Sequence, residues 1–240
     1  MPAIEIAIES VLTTPVEIAV GGLLFDMDGV LVRSTHGDER CWTRWAAHHG
    51  LSDTFDLRRT HGRRAVDTIR EHLPDLTVDS IADHLAQLDS FAEEEQSDVT
   101  AYPGVVGLLA SLQSYRWAVV TSASEKMMRS RLAAAGIPTP THAVGGDTLS
   151  MGKPHPEGYL RGAGILTRQP QECLVIEDAP AGVRAGKAAG CQVLAVASSH
   201  CPSELQEADW IIASIDQIAV SIDPETSTLN LKFPALQNWQ

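Results

Sequence analysis

Residues 22–29 read Gly-Leu-Leu-Phe-Asp-Met-Asp-Gly, and this stretch decides the fold. A short apolar run ends in two acids and a glycine. Near-continuous hydrophobicity over so few residues suits a strand buried on both faces, as in a parallel sheet. Four more runs repeat the pattern: Trp117–Ser122 (WAVVTS), Cys173–Asp178 (CLVIED), Gln192–Val196 (QVLAV) and Trp210–Ala213 (WIIA). Helical stretches separate them. Gly104–Leu112 carries apolar residues at helical spacing, and Ser124–Ala135 stops at Gly136. Pro156–Leu166 and Pro180–Ala189 each open on a proline, which suits a first helical turn. Alternating strand and helix predicts an α/β fold built on a doubly wound parallel sheet.

The rhythm breaks between about Arg33 and Tyr102. That region holds amphipathic helical pieces, Asp38–His49, Gly62–His72 and Asp79–Glu94, and no good strand. It reads as a helical domain inserted after the first strand. The expected division is a core of residues 1–33 and 103–240 with a cap of residues 34–102. Ile4–Ile8 and Thr228–Phe233 alternate weakly and are expected as edge strands without functional weight.

Composition narrows the function classes. Of 240 residues, 44% are apolar and 20% charged, as in ordinary globular domains. The net charge of −13 makes nonspecific nucleic-acid binding a poor expectation, because a negative field repels phosphate backbones. A small anionic substrate then needs local cations or a metal to draw it in. Cys41, Cys173, Cys191 and Cys201 form no CxxC pair, which fits free thiols in a reduced, cytoplasmic setting. Residues 1–22 lack a basic region and are interrupted by Glu5, Glu9 and Glu17, so no signal peptide is expected. No run approaches the length of a membrane span.

The chemistry-bearing residues cluster at the ends of the expected strands. Asp26 and Asp28, two apart, emerge on one side at the carboxyl edge of the sheet, where open α/β sheets place ligands. Two close carboxylates repel, so either a cation joins them or one keeps a proton. One could then attack phosphorus while the other shuttles a proton. A polar turn is the plain alternative. A calcium loop is excluded, because the twelfth residue from Asp26 is Gly37 where an EF-hand needs Glu. Glu177 and Asp178 invite a shared Mg²⁺, or Asp178 simply caps the helix that follows. Lys153, between Gly152 and Pro154, could damp repulsion beside a phosphoryl group, or lie solvated on the surface. Thr121 or Ser122 could cradle a phosphate together with the next helix's N-terminus, or cap that helix.

The stretches FDMDGV, VVTSAS, GKPHPEGY and VIEDAPAGVRAGKAAG resemble, in order and spacing, the four motifs of the haloacid dehalogenase superfamily. The resemblance implies Asp26 as nucleophile and Asp28 as general acid/base. It implies Thr121 as phosphoryl ligand and Lys153 as the screening cation. It also implies Mg²⁺ held by Asp26, the Asp28 carbonyl and Asp178, with Glu177 in support. Asp28 is absent from the dehalogenases themselves, which favours phosphoryl chemistry. The 93 positions from Asp28 to Thr121 leave room for a helical cap, and the 32 from Thr121 to Lys153 leave none for a second.

Thr60-His61-Gly62-Arg63-Arg64, followed by Asp67-Thr68-Ile69, resembles the HG-x-R…D segment of sugar- and polyol-phosphate phosphatases. His61, Arg63 and Arg64, with Ser122, are therefore the expected substrate contacts, Arg64 matching the family arginine best. A solvated basic helix start is the plain alternative for each. Gly37–Trp45 departs from the family pattern. The resulting expectation is a Mg²⁺-dependent phosphatase acting on a small sugar, polyol or glycolate phosphate. No nucleic-acid or membrane partner is expected, and the chain is expected to be a monomer or small homo-oligomer. A phosphomutase of the beta-phosphoglucomutase type would use the same four motifs, and a non-catalytic binding protein could keep the fold.

Overall fold

The computed structural model describes residues 13–226 and 228–237. Along the chain run β1 (Thr13–Val20), β2 (Gly22–Phe25), β3 (Val32–Arg33), α1 (Thr35–His48), α2 (Ala65–His72), α3 (Val78–Glu94), β4 (Thr100–Ala101) and α4 (Val105–Ser111). They are followed by β5 (Trp117–Val120), α5 (Glu125–Ala134), β6 (Ala143–Val144), α6 (Glu157–Ile165), β7 (Cys173–Glu177), α7 (Pro180–Ala188), β8 (Gln192–Val196), β9 (Trp210–Ile212), β10 (Ala219–Ile222) and β11 (Leu229–Leu236).

Six strands form one parallel sheet in the order β6-β5-β2-β7-β8-β9. The five buried runs all lie in it, and the doubly wound α/β class is observed. Strand alternation divides the apolar residues between two faces. Leu23, Phe25, Val119 and Ile176 pack with α4 and α5 residues such as Leu108, Met128 and Leu132. Leu24, Val120 and Val175 pack with Tyr159 and Ala163 of α6 and Val183 of α7. The strand order reverses at β2, with β5 and β6 on one side and β7 to β9 on the other. Such a switch point opens a crevice beyond the carboxyl ends of β2 and β7.

β1, β11 and β10 form a separate antiparallel sheet, in that order. The Thr228–Phe233 segment, expected at an edge, is thus the central strand. Its alternation is the reason: Leu229, Leu231 and Phe233 face the main core, and the ring of Phe233 meets Trp210 edge-on. β1 escaped the sequence reading because most of its residues are exposed or half-buried and Pro15 and Glu17 interrupt the apolar pattern. β6 escaped because it is two residues long. The Ile4–Ile8 expectation lies outside the described residues.

Three helices occupy the interval between β3 and β4, which pair with each other at its root. α1 and α3 enclose a cluster of their own, with Trp42, Trp45, Leu88 and Phe91 buried and Ile69 of α2 completing it. Among the described residues no helix is long and apolar enough to cross a membrane.

Candidate active site

The expected strands stop before Asp26, Asp28 and Asp178, and Glu177 is the last residue of its strand. β2 ends at Phe25 and β7 at Glu177, so Asp26, Asp28 and Asp178 lie in the loops that open the crevice. After β2 the Met27 carbonyl accepts hydrogen bonds from the amides of Val30, Leu31 and Val32, which folds the chain back on itself. Gly29 makes this turn at φ +84°, a left-handed conformation that glycine adopts without strain. It also has no room for a side chain, since a Cβ there would lie 1.8 Å from Asp178 Oδ2. The two acidic loops are therefore pressed together.

Lys153 is the tie between them. Its ammonium donates to Asp26 Oδ1 and, at 2.6 Å, to Glu177 Oε1, and it is 7% exposed. The surface-lysine alternative falls away. Glu177 also accepts from the Tyr159 hydroxyl at 2.8 Å and, through Oε2, from the amides of Asp178 and Ala179. Both its oxygens are thus engaged, about the full capacity of a carboxylate. Glu177, expected among the metal ligands, holds Lys153 and the turn into α7. Gly182 permits this, because a Cβ there would lie 1.6 Å from Glu177 Oε1.

Asp178 does not cap α7. That position belongs to Ala179, which has no side-chain capping bond. Asp178 Oδ2 accepts instead from His61 Nε2 at 3.0 Å and from the Ser199 hydroxyl. Among the described residues no hydrogen bond engages Asp178 Oδ1, Asp26 Oδ2 or the Asp28 carbonyl. These are three hard oxygens at the mouth of one crevice, and Asp26, Glu177 and Asp178 lie close enough to share one ion.

Electrostatics point the same way. Burial holds the Asp26 carboxyl well above its ordinary range; Lys153 opposes this, and Glu177 and Asp178 reinforce it. Lys153 is buried too, yet its acids keep its pKa above the ordinary value. Burial disfavours the His61 imidazolium, but Asp178, Asp38 and Asp28 outweigh that and raise it to about 9. Burial also works against the charged Asp178 carboxylate, and His61 and Ser199 nevertheless hold it below its usual value. Among the described residues, the cations paired with Asp26, Asp28, Asp38, Glu177 and Asp178 are Lys153, His61 and Arg131. The excess of two acids and the unengaged oxygens fit a small dication such as Mg²⁺.

Arg131 was not anticipated. It rises from α5, is almost fully buried, and donates to Asp28 Oδ1 at 2.7 Å and to Asp38 Oδ1. Ser34 donates to the same Asp28 oxygen at 2.6 Å. Among the described residues Asp28 Oδ2 has no such partner. The signal lay in the sequence: Met128, Arg131 and Leu132 share one helical face, and a cation on an apolar stripe is costly unless it meets acids. Asp38 lies in the stretch that departs from the family pattern.

At the β5 edge, Thr121 Oγ1 accepts from the Ala123 amide at 3.1 Å, which leaves its own proton to donate. The Ser122 hydroxyl is spent on the Gly62 carbonyl at 2.8 Å. Neither caps α5, whose cap is Ser124. The helix N-terminus expected to cradle phosphate is partly taken, Glu125 N by Asp147 and Met127 N by Ser124.

The basic segment before α2, with His61, Arg63 and Arg64, lines the cavity beside the acids. Arg64 grips Asp67 through Nε and Nη2 at 2.8 and 2.7 Å, and reaches the Leu149 and Ser150 carbonyls. Four of its five N–H groups are thereby committed, so it latches the helical segment to the Lys153 loop. Arg63 pairs with Glu71 at 2.6 Å. Only His61 of the three reaches the acids of the crevice. Asp26, Asp28, Arg131 and Thr121 line one end of a cavity of about 290 Å³ between the two halves, and Trp42, Leu85, Leu88 and Met127 line its apolar part. Cys41 also lines it, with burial raising its thiol to about 11.

Residues 20–190 match the sequence profile of the haloacid dehalogenase-like hydrolases. The chain is 40% identical over 205 residues to hexitol phosphatase A of Escherichia coli (strain K12), covering 85% of this chain and 95% of that protein. It is 30% identical over 218 residues to 2-deoxyglucose-6-phosphate phosphatase 1 of Saccharomyces cerevisiae, covering 82% and 89%. Among solved structures, beta-phosphoglucomutase from Clostridium difficile superposes with a TM-score of 0.72 at 22% identity, over 82% of this chain and 92% of that one, which is a likeness of fold.

Proposed function

The chain belongs to the haloacid dehalogenase-like hydrolase family, and from that premise we propose that it hydrolyses a small sugar or polyol phosphate through a phospho-aspartyl intermediate on Asp26, with Mg²⁺ as cofactor. The observation that carries the reading is the Lys153 bridge between Asp26 and Glu177 at the switch point of the sheet. It holds one oxygen of the nucleophile and leaves the other, Oδ2, for attack in line on phosphorus. Lys153 and the Thr121 hydroxyl offset the charge of the phosphoryl oxygens. Arg131 and Ser34 fix the plane of Asp28 through Oδ1, so that Oδ2 can protonate the leaving oxygen and later take a proton from the attacking water.

Asp178 Oδ1, the Asp28 carbonyl and the Asp26 oxygen that does not attack would hold Mg²⁺, which would supply charge neutralisation at the nucleophile and phosphoryl group. Glu177 orients the set without ligating it.

Residues 34–102 act as a cap on a core of residues 1–33 and 103–240. Its closure, held by Arg64 on the 149–150 carbonyls and Ser122 on Gly62, excludes water. The mixed lining of the cavity suits a leaving group with both hydroxyls and a carbon backbone, and the identity to a hexitol phosphatase favours hexitol phosphates. The test is phosphate release over a panel of hexitol, sugar and glycerol phosphates with Mg²⁺. Release of inorganic phosphate from one of them, without isomerised product, supports hydrolysis. Isomerised product without phosphate release would replace it with a mutase, and no turnover across the panel would overturn it.

A further inference from the structure

Three donors from three separate segments meet beside the oxygen-rich crevice, and two of them, His61 and His200, have no task in the proposed hydrolysis. His61 comes from the loop before α2, Asp178 from the loop after β7, and His200 from the loop after β8. His61 Nε2 is 3.0 Å from Asp178 Oδ2. His200 Nδ1 is 3.1 Å from the Asp178 carbonyl and 2.8 Å from the Ser199 hydroxyl. The two imidazole rings are 5.4 Å apart. One donor atom from each of the three residues lies within 4.8 Å of the others. Donors that close can reach one ion about 2 Å away with small side-chain rotations.

The donor chemistry differs from that of the neighbouring crevice. Mg²⁺ takes hard oxygens and keeps its waters, whereas imidazole suits borderline transition metals. Two imidazoles and one carboxylate, with a fourth position left to water, are a recurring Zn²⁺ set. The two places share Asp178, whose Oδ2 faces the histidines while Oδ1 is left to the crevice.

We propose that His61, Asp178 and His200 form a second cation site, for a transition-metal dication of the Zn²⁺ class, and that filling it inhibits the enzyme. Inhibition has two sources. The ion draws Asp178 toward the histidines and away from its task in the crevice. It also pins His61, on the cap, to Asp178 and His200, on the core, so that opening for substrate entry and product release becomes slower. The inhibitory part rests on the phosphatase reading, and the binding part does not.

The experiment is a calorimetric Zn²⁺ titration of the metal-free, tag-free full chain, with saturating Mg²⁺ present, alongside His200→Ala, His200→Gln and Cys201→Ser. Cys201 is included because its exposed thiol is the obvious competing ligand. We expect one Zn²⁺ per chain, an affinity weakened at least about tenfold by either His200 variant, the loss that removal of even an outer-shell partner brings, and no change in Cys201→Ser. Co²⁺ in the same site should show the visible d–d absorption of a tetrahedral ion, and His200→Ala should lose it. His200→Ala should keep full Mg²⁺-dependent phosphate release, which shows that it folds, and should escape Zn²⁺ inhibition. Equal Zn²⁺ affinity in the unaltered chain and both His200 variants would overturn the site, as would complete displacement of Zn²⁺ by Mg²⁺. A chain that binds Zn²⁺ through His200 but never releases phosphate would keep the site and refute the phosphatase reading instead.

Discussion

Replacing Arg131 by Met keeps the length of the side chain and removes its charge, so it isolates the tie between Asp28 and Asp38. Two charge-assisted contacts are lost, each worth about 1.5–3 kcal/mol. The arginine is 7% exposed, which puts each contact toward the upper end, while Asp28 and Asp38, at 18% and 26%, can recover some hydration once released. The net cost is then about 3 kcal/mol, at the low end for breaking a buried ion pair. For a chain of this size that corresponds to a fall in Tm of about 6–12 °C. Asp38→Asn breaks only the contact between α1 and α5 and should cost about half as much, because Arg131 keeps Asp28. The double variant should cost less than the sum of the two, with a coupling of about 1–2 kcal/mol. Thermal melts of the four proteins give the cycle. kcat of Arg131→Met should also fall at least about tenfold, since Asp28 loses the contact that fixes its plane. A Tm within about 2 °C of the unaltered chain, or a coupling of zero, would refute the claim that this arginine joins the two halves.

Gly182→Ala places a methyl where Glu177 stands, so it should destabilise the chain by about 1–3 kcal/mol and remove most phosphate release; an active, stable variant would show that Glu177 can move without harm. Tyr159→Phe should lower Tm through the lost buried hydrogen bond to Glu177, worth about 1–2 kcal/mol, while KM changes little because Tyr159 touches no substrate surface. His84 accepts from Trp45 Nε1 at 3.1 Å, and burial together with the neighbouring His49 holds its pKa below the ordinary value. A histidine depressed in the fold contributes stability that is intact above the unfolded pKa of about 6.5 and is lost as pH falls below it. Tryptophan fluorescence from Trp42 and Trp45 should therefore report a looser helical segment at pH 5 than at pH 7.5, and His84→Gln should flatten that difference.

The sheet was legible because its strands are buried on both faces, so hydrophobicity alone marks them. What escaped was whatever lacks that signature: β1, half exposed and broken by Pro15, and the two-residue β6. The main acids and Lys153 were legible for a related reason. They stand at the ends of apolar runs, where charge is conspicuous, and their motifs keep a fixed order. The partners Arg131, Tyr159 and His200 were not, because each takes its meaning from a contact distant in sequence, as Arg131 does from Asp28 across 103 positions. Arg64 shows how much a motif leaves unsaid. The guanidinium expected to hold substrate lines the cavity, and it also grips Asp67 three positions away and two carbonyls.

The central claim is that Asp26 becomes phosphorylated, and the most direct measurement is to catch it. Mixing the Mg²⁺-loaded chain with a ³²P-labelled hexitol phosphate, quenching in acid within one turnover and mapping the labelled peptide should place the phosphoryl group on the peptide that contains Asp26. The label should vanish in Asp26→Asn, along with phosphate release. Label on any other residue, or turnover that continues in Asp26→Asn, would contradict the account.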